Sequence, residues 1–300
     1  MDPGLEQRAV EAVRAVATAH ELDFEHASVV SSGSNVLVHL RPAPVVARVM
    51  TGTVVLHDDS ETWLTREVSV LEFLAPSGLA VAPSPLIAPG PYEHDGLRMT
   101  FVEWVGDVQK GRPLADAARV GRTLRTLHDE LRAFDGELGT LSDLRDDIVR
   151  LHRLLEPGDR VDADRLASLL ARLDGAWGVL LGLALPVQAL HGDASLGNVL
   201  HTPDRLIWND FEDVFRGPVH WDVAGYVMSL GTRGADQAFV SQVLEHYGWD
   251  DERELAPFTA AHHVYDEIWQ LYDRQRRAHS ARRDDQYLGS NSKSVRLQRG

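Results

Sequence analysis

Two short polar loops hold the residue types that chemistry requires. The segment His191-Gly192-Asp193-Ala194-Ser195-Leu196-Gly197-Asn198 is followed by Leu206-Ile207-Trp208-Asn209-Asp210-Phe211-Glu212-Asp213. Asp193 and Asn198 stand near the two ends of one loop, and Asp210 follows an apolar piece, so the three side chains can converge from neighbouring turns. Two carboxylates and an amide oxygen make a hard donor set that suits Mg²⁺, which also keeps waters and phosphate oxygens. A carboxylate left free of metal can accept a proton from an attacking hydroxyl. Other chemistries find less support. The absence of cysteine excludes thiolate zinc sites, thiol nucleophiles and disulfide scaffolds. No HExxH motif and no G-x-S-x-G elbow occur, which disfavours a zinc protease and a serine hydrolase. His262 and His263 adjoin on an expected helix and point in different directions, while His128 and His191 read as hydrogen-bonded structural residues.

These loops need elements to hold them. Leu5, Ala9, Val10, Val13, Val16 and Ala17 recur at helical spacing over residues 5–19. Short β-rich runs follow at 27–30, 36–40 and 45–50, separated by turn-forming clusters at 31–35 and 41–44, which predicts a three-stranded antiparallel meander. Ser60 can cap a helix to about Ala75, Pro76-Ser77-Gly78 stops it, and a further hairpin ends in a strand over 97–104. Helices are then expected over 114–132, 141–155 and 164–183, and, after the loop cluster, over 222–230, 235–247 and 255 to about 277. From Ser280 the composition predicts a flexible tail. A small sheet-plus-helix lobe, an extended crossing and a larger helical lobe should leave a cleft between them. Residues 31–35 would bring backbone N–H groups and small side chains against phosphate oxygens, although no Gly-Lys-Ser/Thr follows as in a Walker loop.

His191-Gly192-Asp193 with Asn198 resembles the HGDxxxxN catalytic loop of the aminoglycoside phosphotransferase family, whose fold is similar to that of protein kinases. Asp210-Phe211 resembles the metal-binding aspartate that comes next in that family. Gly217-Pro218-Val219-His220-Trp221-Asp222-Val223-Ala224 is similar to its G-x-P-x-x-D-x-A stretch, in which the aspartate braces the catalytic loop. The resemblance implies an α+β, protein-kinase-like two-lobe fold. A small antiparallel-sheet N-lobe covers 1–103, a hinge lies at about 102–106, and a mainly helical C-lobe covers 107–279, with the active-site cleft between the lobes. It further implies Asp193 as base, Asn198 and Asp210 as Mg²⁺ ligands, and His191 and Asp222 as supports of the site. On the nucleotide side it implies Ser32, Gly33, Ser34 and Asn35 at the phosphates, Arg48 where kinases carry a lysine, Glu67 as its ion-pair partner, and the main chain of Glu103 and Val105 on adenine. The chain has only two lysines, Lys110 and Lys293, so Arg48 takes that role or nothing does. Its planar fork differs from a lysine's point charge, which bears on nucleotide affinity and donor choice.

Composition sets the limits. With 300 residues and 44% hydrophobic side chains the chain can bury a substantial core. It carries 45 acidic and 30 basic groups, and residues 1–273 alone carry a formal charge of −21. Such a body argues against duplex nucleic acid and is compatible with a cationic small molecule. The first residues do not resemble a signal peptide and no apolar run is long enough for a membrane span, so a cytoplasmic monomer without a membrane partner is the default. The expected function is an ATP-dependent phosphotransferase, with GTP open as donor and Mg²⁺ as cofactor. It would move the γ-phosphate to a hydroxyl of a small molecule such as an aminoglycoside, another amino-alcohol or a sugar. Asp266 and Glu267 on a late helix are candidate ammonium contacts. A non-catalytic kinase-like nucleotide- or ligand-binding module and a metal hydrolase using the same Asp/Asn set are the competing readings.

Overall fold

An amphipathic helix and strands with one apolar face build the first lobe. The computed structural model describes residues 3–52, 60–106, 116–158, 161–203 and 205–296. Asp107 and the expected helix start at Leu114 lie outside the described residues. Helix α1 (Pro3–Ala19) buries Ala9, Ala12, Val13, Val16 and Ala17 in one hydrophobic cluster with the sheet. The strands are β1 (His26–Ser32), β2 (Val36–Arg41), β3 (Val45–Val49), β4 (Tyr92–His94) and β5 (Leu97–Glu103), in the antiparallel order β1-β2-β3-β5-β4. The expected three-stranded meander is thus part of a five-stranded sheet.

Strand β3 lies in the middle, and all five of its residues are buried. Val45, Ala47 and Val49 join the cluster with α1, so strand alternation turns Val46 and Arg48 to the other face of the sheet. Helix α2 (Ser60–Leu74) follows and serves both lobes: Glu67 meets Arg48, whereas Val70, Leu71 and Leu74 pack into the core of the helical lobe. A 3-10 turn over Ala75–Ser77 ends it, with Gly78 in the left-handed region.

The second lobe contains α3 (Ala117–Leu131), α4 (Leu141–Arg153), α5 (Ala163–Gly182), α6 (His220–Thr232), α7 (Gln237–Tyr247) and α8 (Ala256–Arg296). Its helices start where the sequence provides caps. Asp116, Asp162 and Asp236 accept the N–H groups of Arg119, Arg165 and Phe239 at 3.0, 2.8 and 2.8 Å. Each such cap stabilises by about 1 kcal/mol. The core gathers Val120, Leu124, Leu127 and Leu131 of α3, recurring every three or four residues, with residues of all the later helices.

Two small sheets sit inside this lobe. Strands β6 (Gly139–Thr140), β10 (Phe215–Gly217) and β7 (Gln188–Leu190) pair in the order β6-β10-β7, and β8 (Val199–His201) forms a hairpin with β9 (Leu206–Trp208). Strand β7 delivers the chain to His191, and the β8–β9 hairpin lies between Asn198 and Asp210. Two-residue β6 and three-residue β10 are too short to leave a period in the sequence.

The last helix runs further than its apolar spacing predicts. Helix α8 is continuous backbone helix to Arg296, well past the expected end near Arg277. No proline follows Pro257, and alanine, arginine, glutamine and leucine propagate a helix once it is nucleated. Among the described residues no helix is long and apolar enough to cross a membrane.

Candidate active site

The loop after β7 is clamped by buried polar groups. Asp222, in the first turn of α6, accepts the N–H groups of His191 and Gly192 at 2.8 and 3.0 Å. A third bond joins it to His128 Nε2 at 3.0 Å, and His128 Nδ1 meets the Tyr247 hydroxyl at 2.7 Å. Burial opposes the charge of Asp222, but the His128 contact and the His191 N–H hold its carboxyl below the usual range. Trp221 Nε1–H donates to Gly192 O at 2.8 Å from the other side. His191 Nε2 lies 3.1 Å from Asn209 O and thereby ties the first loop to the second. Burial lowers the His191 pKa, which favours a neutral ring donating to that carbonyl.

Asn198 Nδ2 donates to Asp193 Oδ2 at 2.8 Å and to Asp193 O at 2.9 Å. Its amide nitrogen being spent on Asp193, the amide oxygen is what Asn198 can offer to a metal. Asp193 is exposed on the surface but has protein packed around it, and it does not itself line the adjoining cavity. That burial, with Asp210 nearby, pushes its carboxyl up to about 7 against the pull of the Asn198 bond.

A cluster of charges ties the lobes together behind it. Arg48 is buried, with its side chain 7% exposed; Nη1 donates to Glu67 Oε2 at 3.0 Å, and Nη2 faces both Asp210 Oδ1 at 3.0 Å and Glu212 Oε2. One guanidinium therefore serves three carboxylates. Neither Arg48 Nη2 nor Asp210 Oδ1 has an aligned hydrogen-bond partner among the described residues, so their contact is one of charge. Burial, reinforced by Glu212 and Asp210 and opposed by Arg48, raises the Glu67 carboxyl to about 7. Asn35 Nδ2 donates to both oxygens of Glu212 at 3.2 and 3.1 Å, and its Oδ1 accepts the Thr51 N–H at 3.1 Å. Asp210 itself is left-handed at φ 68°, which turns the chain sharply between β9 and Glu212. Arg48→Lys should lose one branch of this bridge, because a single ammonium cannot span two nitrogens' worth of partners. The expected loss is about 1.5–3 kcal/mol of stability, read from urea unfolding; an unchanged midpoint would show that the second branch contributes nothing.

The cluster forms one end of a cavity of about 500 Å³, and Glu103, Trp104, Val105 and Gly106 bound another part of it. Gly33, Ser34, Asn35, Arg48, Glu67, Glu103, Val105, Asn198 and Asp210, all singled out in the sequence, line this space. Ser32 does not. Its hydroxyl donates to Glu6 Oε1 at 2.6 Å, toward α1, and Ser31 lines the cavity in its place. Successive strand residues face opposite sides, so a one-residue error exchanges the two serines.

Of the two candidate acceptor residues on α8, Glu267 is already engaged. Glu267 is held by Arg165 and by Arg172 at 2.7 Å, both on α5, which leaves it an ion-paired brace between helices. Asp266 is half-buried, and burial raises its pKa. The neighbouring Tyr265 has its phenol pKa raised well above the ordinary value by burial and by the charges of Asp213 and Asp193. It brings α8 close to the catalytic loop. Sequence reading did not single out Tyr265, Asn209, Glu212 or Asp213. For Tyr265 the spacing of Ala261, Val264 and Ile268 marked the buried face; the other three carried no local signal beyond their place beside Asp210.

The chain is similar to choline kinase LicA from Streptococcus pneumoniae, with a TM-score of 0.65 and 16% identity over 89% of this chain and 91% of that one. It is similar to APH(2")-IIia, solved with GDP and kanamycin, with a TM-score of 0.65 and 18% identity over 94% and 98% of the two chains. For APH(3'')-Id from Streptomyces rimosus, solved with ADP and streptomycin, the TM-score is 0.66 at 14% identity over 86% and 98%. At such identities the likeness is one of fold, and that fold is protein-kinase-like, as the sequence implied. No curated protein matches the chain. The phosphotransferase enzyme family (APH) matches residues 23–258, most of the length and all of both loops, and the chain belongs to that family.

Proposed function

We propose that the protein is a small-molecule kinase that moves the γ-phosphate of ATP to a hydroxyl of its acceptor, with residues 1–103 as the nucleotide-binding lobe and 107–279 carrying the catalytic loop and acceptor site. The observation that carries this reading is that Asn198 and Asp210 line one nucleotide-sized cavity together with Arg48 and Glu67, with Asp193 bonded to Asn198. The donor set fits Mg²⁺: Asn198 has its amide oxygen to offer, Asp210 is 38% exposed, and three carboxylates share a single guanidinium. Bound there, Mg²⁺ would neutralise phosphate oxygens. Glu103 and Val105 hold the base with their main chain, the turn at 33–35 covers the phosphates, and Arg48 supplies fixed positive charge. Asp193 orients the acceptor hydroxyl and takes its proton, held in place by Asn198 and by the loop braced on Asp222.

For the acceptor we propose a hydroxylated amine. Asp213, Asp193, Asp210 and Glu212 gather carboxyl groups at the catalytic end of the cleft, where burial and the other three raise the pKa of Asp213 and a bound cation would favour their charged forms, and the relatives' complexes contain kanamycin and streptomycin. The test is ADP release with Mg·ATP and a panel of aminoglycosides, amino-alcohols and neutral sugars. At least one amine should raise turnover about 10-fold or more above background. Nucleotide binding without transfer to any acceptor would favour a non-catalytic module, and phosphate release without a phosphorylated product would favour a hydrolase.

A further inference from the structure

The brace on the catalytic loop reaches further than Asp222. His128 and Asp222 have side chains 1% and 0% exposed, so the polar atoms of both depend on protein partners. Asp222 Oδ2 meets the His191 N–H and His128 Nε2, and Oδ1 accepts the Gly192 N–H. A carboxylate only accepts, and the Asp222 carboxyl is held below its usual range, so the imidazole carries its proton on Nε2. Nδ1 is then the acceptor, and the Tyr247 hydroxyl 2.7 Å away is its donor. Burial, with the charge of Asp222 behind it, keeps that phenol protonated. A second proton on the ring would turn the hydroxyl hydrogen away from its one partner among the described residues. The bonds therefore run in one direction, from Tyr247 through His128 and Asp222 to two consecutive amides of the loop.

The far end of this chain is anchored in backbone packing. Gly121 stands two turns before His128 on α3, and a Cβ built there would lie 2.3 Å from Val243 O and 3.0 Å from Tyr247 N. Helices α3 and α7 thus touch through their main chains, which fixes Tyr247 against α3. Gln188 Nε2 donates to His128 O at 2.7 Å, so the strand that delivers the loop is tied to the same turn of α3. At the near end Gly192 has φ 88°, and Asp193 follows directly. We propose that His128 is a positioning residue for phosphoryl transfer: with its proton placed on Nε2 by the Tyr247 hydroxyl, it aims both oxygens of Asp222 at the His191 and Gly192 amides and so sets where Asp193 stands. Without that donor the buried carboxylate takes up a proton or turns toward another partner, and either change withdraws an acceptor from the two amides. A shift of the loop by about 1 Å is enough to slow transfer by about 10²-fold. His128, Asp222 and Tyr247 do not line the nucleotide cavity, so ATP binding is left alone.

The part His128 plays in transfer rests on the kinase reading above, whereas the arrangement of protons does not, and two measurements keep them apart. Nitrogen-15 spectra of histidine-labelled protein, with His128 identified by its loss in His128→Gln, should show a neutral ring protonated at Nε2. A ring protonated at Nδ1, or at both nitrogens, would overturn the inference whatever the protein catalyses. The second measurement compares two amides. Glutamine places its Nε2 where His128 Nε2 stands, and asparagine reaches only as far as Nδ1. ADP release from Mg·ATP, with the panel of amines above as acceptors, should fall about 10²-fold in kcat in His128→Asn, with KM for Mg·ATP within about 3-fold of wild type. His128→Gln should stay within about 5-fold of wild type, and Tyr247→Phe should lose about 3- to 10-fold in kcat. Equal losses in the asparagine and glutamine variants would reduce His128 to a polar filler and end the proposal, as would a rise in KM that matches the fall in kcat. If His128→Asn does not fold, Tyr247→Phe and the wild-type spectrum carry the decision. Should wild type release no ADP above background with any acceptor, the kinase reading falls, and the backbone amide signals of His191 and Gly192 decide instead: a brace moves them in His128→Asn and spares them in His128→Gln, and the same response in both variants refutes it.

Discussion

Asp193→Asn is expected to bind Mg·ATP with near wild-type affinity and to lose phosphoryl transfer by about 10²- to 10⁴-fold. Asparagine keeps the size of the side chain and still offers Asn198 Nδ2 an oxygen, now held at 2.8 Å by the carboxylate. The loop stays braced, because its clamps are the bonds from His191 and Gly192 to Asp222 and from Trp221 to Gly192 O. What disappears is the proton acceptor proposed above. The folded state has little to lose, since Asp193 is crowded by the like charges of Asp210 and Glu212. Unfolding midpoints should therefore hold while turnover collapses, a split that a structural role cannot produce. Steady-state rates within a few-fold of wild type would take the base assignment away from Asp193.

Gly192→Ala should fail for a different reason. Gly192 has φ 88°, and a Cβ built there would lie 1.8 Å from Asp213 O and 2.5 Å from its carbonyl carbon. The obstacle is backbone, so no side-chain rotation relieves it. Either the catalytic loop or the segment after Asp210 must shift, and the two must stay in register for Asp193 and Asp210 to face one substrate. Overpacking and left-handed strain together should cost about 3–5 kcal/mol, with turnover down by about 10²-fold or more. Gly96→Ala is the control. Gly96 has φ 71° with nothing within 4 Å of a Cβ, so only the conformational strain applies, about 1–2 kcal/mol, with activity retained. Urea unfolding and turnover measured side by side decide the matter: equal behaviour of the two variants would show that the contact with Asp213 does not constrain the loop.

Much of the fold was readable along the chain because periodicity and turn chemistry act locally. The apolar spacing from Leu5 to Ala17 lies on α1, and Ser60 and Pro76 bracket α2 within a residue or two. Strands β6 and β10 escaped because two or three residues have no period, and the extent of α8 escaped because a polar helix without an apolar face resembles a tail. In the site, the spacing of His191, Asp193, Asn198 and Asp210 was visible because one loop and one hairpin carry them. Ser32 and Glu267 went astray where the question was which way a side chain faces. A serine one residue along a strand points to the other side, and a glutamate on α8 is claimed by arginines roughly a hundred residues earlier.

The amino-acid order alone thus specified most of the elements, the oxygen donors and the family resemblance, since each is written within a few dozen consecutive residues. Folding added the partners. That Arg48 is shared among Glu67, Asp210 and Glu212, and that Asn35 leans on Glu212 across 177 positions, depends on two lobes closing on one another. Contacts between distant segments arise from packing the sheet, α2 and the loop cluster into one volume, and no local pattern encodes them.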